Sequence, residues 1–253
     1  MLQSRVIPCL LLNNGSLVKT VQFGKYSYIG DPLNTCRIFN ELEVDEMSII
    51  DISAAKNRGE PNYNLLQGLA NECFMPLSYG GGISNVEQAK KIFFMGFEKI
   101  IINSSLYTDI SILEKIANIF GSQSVIAGVD VNKNIFGKYM LYSNGGKKKE
   151  KNDLIEWTKK LQDNGAGEIL LTNISLEGTW KGFDINLIQQ VTRNVNIPVI
   201  IHGGAGCKKD VEEAVNLGKA SAVALGSMVV YQNKDMGVLI NYSREYDFGC
   251  RSK

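Results

Sequence analysis

Short apolar runs rich in Ile, Val and Leu recur along the chain at 5–11, 46–51, 76–79, 99–103, 125–130, 168–173, 198–202 and 221–225. Runs of this length with hydrophobic residues on both parities read as strands buried on both faces. Between most of them lie segments of helical period: 86–96, 110–121, 154–165 and 211–218. Several end in Gly, a frequent helix stop. Eight buried strands alternating with helices predict a parallel sheet, and closure into a (β/α)8 TIM barrel lets every strand cover both faces. No linker or low-complexity stretch interrupts the pattern, which predicts one domain over 1–253.

The second half of the chain repeats the first. VDEMSIIDIS (44–53), MPLSYGGG (75–82) and EKIIINSS (98–105) are answered by AGEILLTNIS (166–175), IPVIIHGGAG (197–206) and AVALGS (222–227). Glu46 to Gly81 spans 35 positions and Glu168 to Gly204 spans 36, while Gly81 to Ser104 and Gly204 to Ser227 both span 23. A two-fold half-barrel repeat with two similar anion sites follows. One position breaks it: Leu11 stands where the second half has Asp130.

The period of two along a strand separates lumen-facing from helix-facing residues. Arg5, Ile7, Cys9 and Leu11 share a face on the first strand; Lys99, Ile101 and Asn103 do so on the fourth, and Glu168, Leu170 and Thr172 on the sixth. With Glu46 at the start of the second strand, two cations and two anions gather at the N-terminal mouth. Such charges must be mutually paired to be buried. They read either as a stabilising plug or as a gate for something small and polar.

Strand C-termini hold the active site in this architecture. Here they offer Asp51, Gly80-Gly81-Gly82, Asn103-Ser104, Asp130, Thr172, Gly203-Gly204 and Gly226-Ser227. Two sets read as phosphate cradles, since glycine admits close backbone approach and amides at a following helix start complement an anion; tight turns are the plainer reading of the same glycines. Two cradles across one mouth suit a substrate with a phosphate at each end. Lys19, in the loop after the first strand, adds a cation, although a solvated lysine is the commoner case. The one histidine, His202, titrates near pH ~6.5 when unperturbed, and reads as an acid-base group or as a half-buried residue lining the turn.

A net charge of +1 argues against a nucleic-acid partner. Five scattered cysteines contain no CxxC pair or metal-ligand spacing, so they predict a reduced cytoplasmic protein without a metal. No secretory signal or membrane span is recognisable. The basic run 147–151 reads as a solvated loop.

RVIPCLLL, DPLN, the GGGI turn, FGSQSV, GAGEILLT and the HGGAG turn resemble the cyclase subunit of imidazole glycerol phosphate synthase, the HisF type, over about 1–229. The resemblance implies a lyase within a glutamine amidotransferase complex of histidine biosynthesis, without a cofactor. A HisH-like glutaminase docks on the N-terminal face, ammonia crosses the barrel, and a linear bisphosphorylated substrate binds at the far mouth. It implies an ammonia gate of Arg5, Glu46, Lys99 and Glu168. It also implies phosphate contacts at Gly82, Asn103 and Ser104 in one half and at Gly178, Gly204 and Ser227 in the other, with Lys19 and Asp130 at functional positions. Thr172, Glu177, His202 and Gly226 complete the candidate substrate site.

Departures fall at the chemical end. Where family cyclases resemble CLDV, this chain reads Cys9-Leu10-Leu11-Leu12, so one of an acid-base pair of aspartates is replaced by hydrocarbon. Ser175-Leu176-Glu177-Gly178 replaces an aspartate-bearing loop, and His202 stands where a serine is usual. The leading expectation is a divergent paralog that passes ammonia to another amination. Such paralogs resemble proteins of surface-polysaccharide (lipopolysaccharide) biosynthesis that form acetamidino sugars with a separate ATP-dependent amidotransferase. The alternatives are an authentic cyclase using Glu177 as substitute acid, and a non-catalytic scaffold that binds a phosphometabolite and activates the glutaminase.

Overall fold

Eight parallel strands close on themselves in the computed structural model, which describes residues 4–57, 60–235 and 237–243, the side chains of 55–57 excepted. Residues 1–3 and 244–253, and with them Cys250, lie outside the described residues. The barrel strands are β1 (Arg5–Asn13), β4 (Met47–Asp51), β5 (Leu77–Gly80), β6 (Lys99–Ile102), β7 (Val125–Lys133), β10 (Glu168–Asn173), β11 (Val199–His202) and β12 (Ala222–Leu225). They run in sequence order around the barrel, with β12 returning to β1. Each expected apolar run is a strand, and the expected (β/α)8 barrel is present.

The helices are α1 (Pro32–Glu41), α2 (Ile52–Asn57), α3 (Tyr63–Glu72), α4 (Val86–Phe94), α5 (Ser111–Phe120), α6 (Leu154–Asp163), α7 (Ile185–Thr192), α8 (Lys208–Asn216) and the short α9 (Ser227–Val230). Side chains of Asp31, Asn62, Asn85, Asp153 and Asp184 accept first-turn N–H groups of α1, α3, α4, α6 and α7, satisfying donors the helix itself cannot. None of the described helices is long and apolar enough to cross a membrane.

The core has two compartments. The larger lies between barrel and helices; the smaller fills the lumen with Ile7, Cys9, Ile101, Ile126, Leu170, Ile200, Ala222 and Ala224. Ile7, Cys9, Ile101 and Leu170 among them are of the parity the sequence predicts.

Two hairpins on the C-terminal side depart from expectation. β2 (Ser16–Thr20) pairs antiparallel with β1 and with β3 (Tyr26–Gly30), so Lys19 belongs to a strand and not to a loop. β8 (Tyr139–Ser143) likewise folds back on β7 and pairs with β9 (Lys148–Lys149). The basic run therefore forms an edge strand, and Glu150 within it is buried, accepting from Ser143 Oγ at 2.5 Å.

Strand register sets the equivalence of the halves. Ile50 is the partner of Leu11 and Gly80; Thr172 is the partner of Asp130 and His202. Leu11 is thus equivalent to Asp130, and Gly80 to His202. Spacing aligned Gly81 with Gly204, but register aligns it with Gly203. The backbone agrees: a Cβ on Gly81 would meet Asp51 O at 2.5 Å, and one on Gly203 would meet Asn173 O at 2.7 Å. Asp51 and Asn173 are themselves matched, each Oδ1 accepting from the N–H and hydroxyl of the serine two residues on. Asp51 Oδ1 is therefore engaged in shaping its loop, where it also accepts from the Ala54 N–H at 3.0 Å.

Candidate functional site

At the N-terminal floor, Arg5, Glu46, Lys99 and Glu168 converge in a closed ring. Arg5 donates to Glu46 Oε2 at 2.8 Å and to Glu168 Oε1 at 3.0 Å; Lys99 Nζ donates to Glu46 Oε1 at 3.1 Å and to Glu168 Oε1 at 3.2 Å. Each cation touches both anions. Burial works against the Arg5 charge, but the two carboxylates outweigh it and raise its pKa. Glu168 Oε2 is buried with no partner among the described residues. Above the ring the lumen is apolar, apart from Ser48 and Ser78, whose hydroxyls lie 2.7 Å apart.

At the opposite mouth Lys19 of the first half joins Glu177, Gly178, His202, Gly204, Gly226 and Ser227 of the second in lining one pocket. Lys19 and Glu177 form a buried ion pair, correcting the expectation of a solvated lysine. The pair has a local cause. Lys19 Nζ also donates to Thr20 O at 2.7 Å, and Glu177 Oε2 accepts from the Phe23 N–H at 3.2 Å. Gln22 N donates to Glu177 O at 2.9 Å, so the β2–β3 hairpin is strapped to the loop after β10. Gly178 permits the close approach: its φ is +74°, and a Cβ there would lie 2.5 Å from Thr20 O. With the Lys19 charge neutralised by Glu177, the Ser227 side chain is a further polar group in the pocket lining.

His202 is buried, not half-buried, and its Nδ1 lies 3.4 Å from Thr172 Oγ1. Burial, with the Lys19 charge adding and Glu177 opposing, lowers its pKa to about 4. The imidazole is neutral near pH 7. Burial also pushes the nearby Cys9 thiol up to about 12, which removes it as a nucleophile.

Across the mouth, Asn103 Nδ2 donates to Asp130 Oδ2 at 2.8 Å, while Asn103 Oδ1 is buried without a partner among the described residues. Burial raises Asp130 to about 7, against the lowering effect of Asn103. A carboxyl group poised there can take or give a proton at neutral pH. Ser104 Oγ accepts from Asn144 N at 2.9 Å, so the β8–β9 turn covers this half. Gly82, at φ +70°, follows Gly81 in the turn. Leu11 is 6% exposed, continues the lumen-facing parity of Ile7 and Cys9, and brings no polar atom to its end of the mouth.

One clamp escaped the sequence reading. Asp184 accepts from Tyr139 OH at 2.9 Å, pairs with Lys133 at 2.8 Å and caps α7, tying the β7–β8 hairpin to the barrel wall. An aspartate just before an apolar helical run was its visible signal.

The model of the family described as "Histidine biosynthesis protein" matches residues 5–235. The chain belongs to that family. Its HisF-type relatives span nearly its whole length. A Pseudomonas aeruginosa protein named "Putative imidazole glycerol phosphate synthase subunit hisF2" is 46% identical over 242 residues, 96% of each chain. A Vibrio vulnificus protein named "Putative imidazole glycerol phosphate synthase subunit hisF3" is 43% identical, covering 96% of this chain and 94% of its own. The imidazole glycerol phosphate synthase subunit HisF of Petrotoga mobilis is 36% identical, covering 94% and 96%. The sequence is thus of the HisF type, carried on a (β/α)8 barrel.

Proposed function

We propose that this HisF-type subunit receives ammonia from a HisH-like glutaminase docked on the N-terminal face, passes it through the charged floor and apolar lumen, and delivers it to a phosphorylated substrate at the opposite mouth. The chemistry there is an amination other than imidazole ring closure, in surface-polysaccharide sugar biosynthesis with a separate ATP-dependent amidotransferase. The observation carrying this reading is Leu11 in the register position of Asp130. Asp130 at about 7 can shuttle a proton, but its counterpart is hydrocarbon, and loss of a positioned acid or base costs on the order of 100-fold to 10,000-fold.

Glu177 is a poor substitute acid, because its carboxylate is already engaged by Lys19 and the Phe23 N–H. Neutral ammonia suits an apolar lumen, where an ion pays the full cost of desolvation. The ring at its entrance supplies alternating donors and acceptors.

The test supplies the purified chain with the bisphosphorylated linear substrate of the histidine pathway and excess ammonium salt, and follows imidazole glycerol phosphate. Negligible product from the natural chain, with product appearing in Leu11→Asp, is the expected result. Turnover near that of a histidine-pathway cyclase sinks the altered-chemistry reading. Lys99→Met, assayed for transfer of glutamine-derived nitrogen in the glutaminase complex, separates a conduit from a scaffold: unchanged transfer assigns the ring to stability alone.

A further inference from the structure

Two cysteines far apart in sequence meet on the barrel's flank. Cys36 lies on α1 and is fully buried; Cys73 follows the last turn of α3 and is half-buried. The two helices pack side by side, and contacts bracket the pair. Arg37 Nε donates to Glu72 Oε2 at 3.0 Å, and the Phe74 N–H donates to Asn40 Oδ1 at 2.9 Å. Between these contacts the two thiols are neighbours, and their mutual influence lowers the pKa of Cys73 and raises that of Cys36. Both are free thiols in the structure.

We propose that Cys36 and Cys73 are a reversible dithiol–disulfide pair, closed by a peroxide or a disulfide oxidant, that staples α1 to α3 beside the N-terminal face. The roles divide by exposure. Cys73, reachable from solvent, is the attacking sulfur; Cys36, buried behind it, resolves. With hydrogen peroxide, the Cys73 thiolate attacks one peroxide oxygen, the O–O bond breaks, and Cys73 sulfenic acid and hydroxide result. The Cys36 sulfur then displaces the sulfenic oxygen, its proton leaving with that oxygen as water. The two sulfurs lose two electrons in total, and one peroxide is reduced to water and hydroxide. Thiolate character and access govern both steps.

The staple sits where it can be felt at the floor. Cys73 leads through the 88% exposed Phe74 to Pro76, whose carbonyl accepts from the N–H of Met47, next to the ring residue Glu46. Closing it ties the helix that precedes β4 to the segment that enters β5.

The full chain is treated with hydrogen peroxide or oxidised glutathione under native conditions, digested, and mapped by mass spectrometry with and without reductant. The expected product is a reducible Cys36–Cys73 cross-linked peptide. Oxidation should raise the thermal midpoint by about 5 °C. Cys73→Ala and Cys36→Ala should each abolish both changes. Should Cys36→Ala fold poorly, Cys73→Ala and the wild-type map decide alone. A cross-link absent under native conditions, a mixed disulfide that stays on Cys73, or further oxidation of Cys73 without Cys36 overturns the proposal.

Discussion

Leu11 and Asp130 hold one register position in the two halves of the barrel, Leu11 beside Ile50 and Asp130 beside Thr172. A carboxylate introduced at position 11 enters a site that is 6% exposed. Leu11→Asp should therefore cost about 2–4 kcal/mol of stability, read from urea unfolding, even where it gains ring-closure activity. Leu11→Asn should be destabilised by a similar amount without that gain, separating shape from proton transfer.

Asp130 should set a pH-dependent penalty. Its folded pKa of about 7 lies above the ordinary 3.8, so the folded state holds the proton over a range where the unfolded chain has released it. The penalty is absent below pH 3.8, grows as pH rises toward 7 and is constant above. Asp130→Asn should consequently gain about 2 kcal/mol over the natural chain at pH 8, after allowance for partial solvent screening, and nothing at pH 3.5. Denaturation midpoints at the two pH values check this.

His202 acts in the opposite sense at acid pH. Its folded pKa of about 4 lies below the ordinary 6.5, so the unfolded state gains a proton first and stability falls as pH drops from 6.5 to 4. His202→Gln should flatten that part of the stability profile while leaving the slope between pH 7 and 9 unchanged.

Lys19 and Glu177 should fail singly and tolerate joint removal. Lys19→Met leaves a fully buried carboxylate without its cation and should cost about 3–5 kcal/mol; adding Glu177→Leu should recover most of it. A double-mutant cycle in urea measures the coupling.

Gly203 is held by geometry. At φ +92°, with Asn173 O lying 2.7 Å from any added Cβ, Gly203→Ala should cost more than about 2 kcal/mol. Gly15→Ala, at φ +80° in open space, should cost only about 1 kcal/mol. Comparing the two thermal midpoints separates collision from backbone conformation.

The barrel strands and the ionic floor were legible because strand parity is a local signal: Arg5, Lys99 and Glu168 open their strands on the lumen-facing parity. The β2–β3 and β8–β9 hairpins were not, since their strands are five residues or fewer and their pairing depends on the strand each folds back upon. The Lys19–Glu177 pair joins residues 158 positions apart, and no periodicity reports such a contact. The repeat was visible, yet its register was misread by one place at Gly203. One extra residue between β11 and β12 made the spacing to Ser227 agree with the wrong glycine.

The floor ring is less symmetric than the barrel that holds it. Glu46 and Glu168 are equivalents, but register sets Lys99 opposite Ala222, so the first half brings both cations and the second half brings none. Two copies of the second half, assembled face to face, would meet with bare carboxylates; two copies of the first would meet with surplus positive charge. Neither homodimer closes neutrally, whereas the two unlike halves together do, so the neutrality of the floor belongs to the whole barrel and to neither half alone.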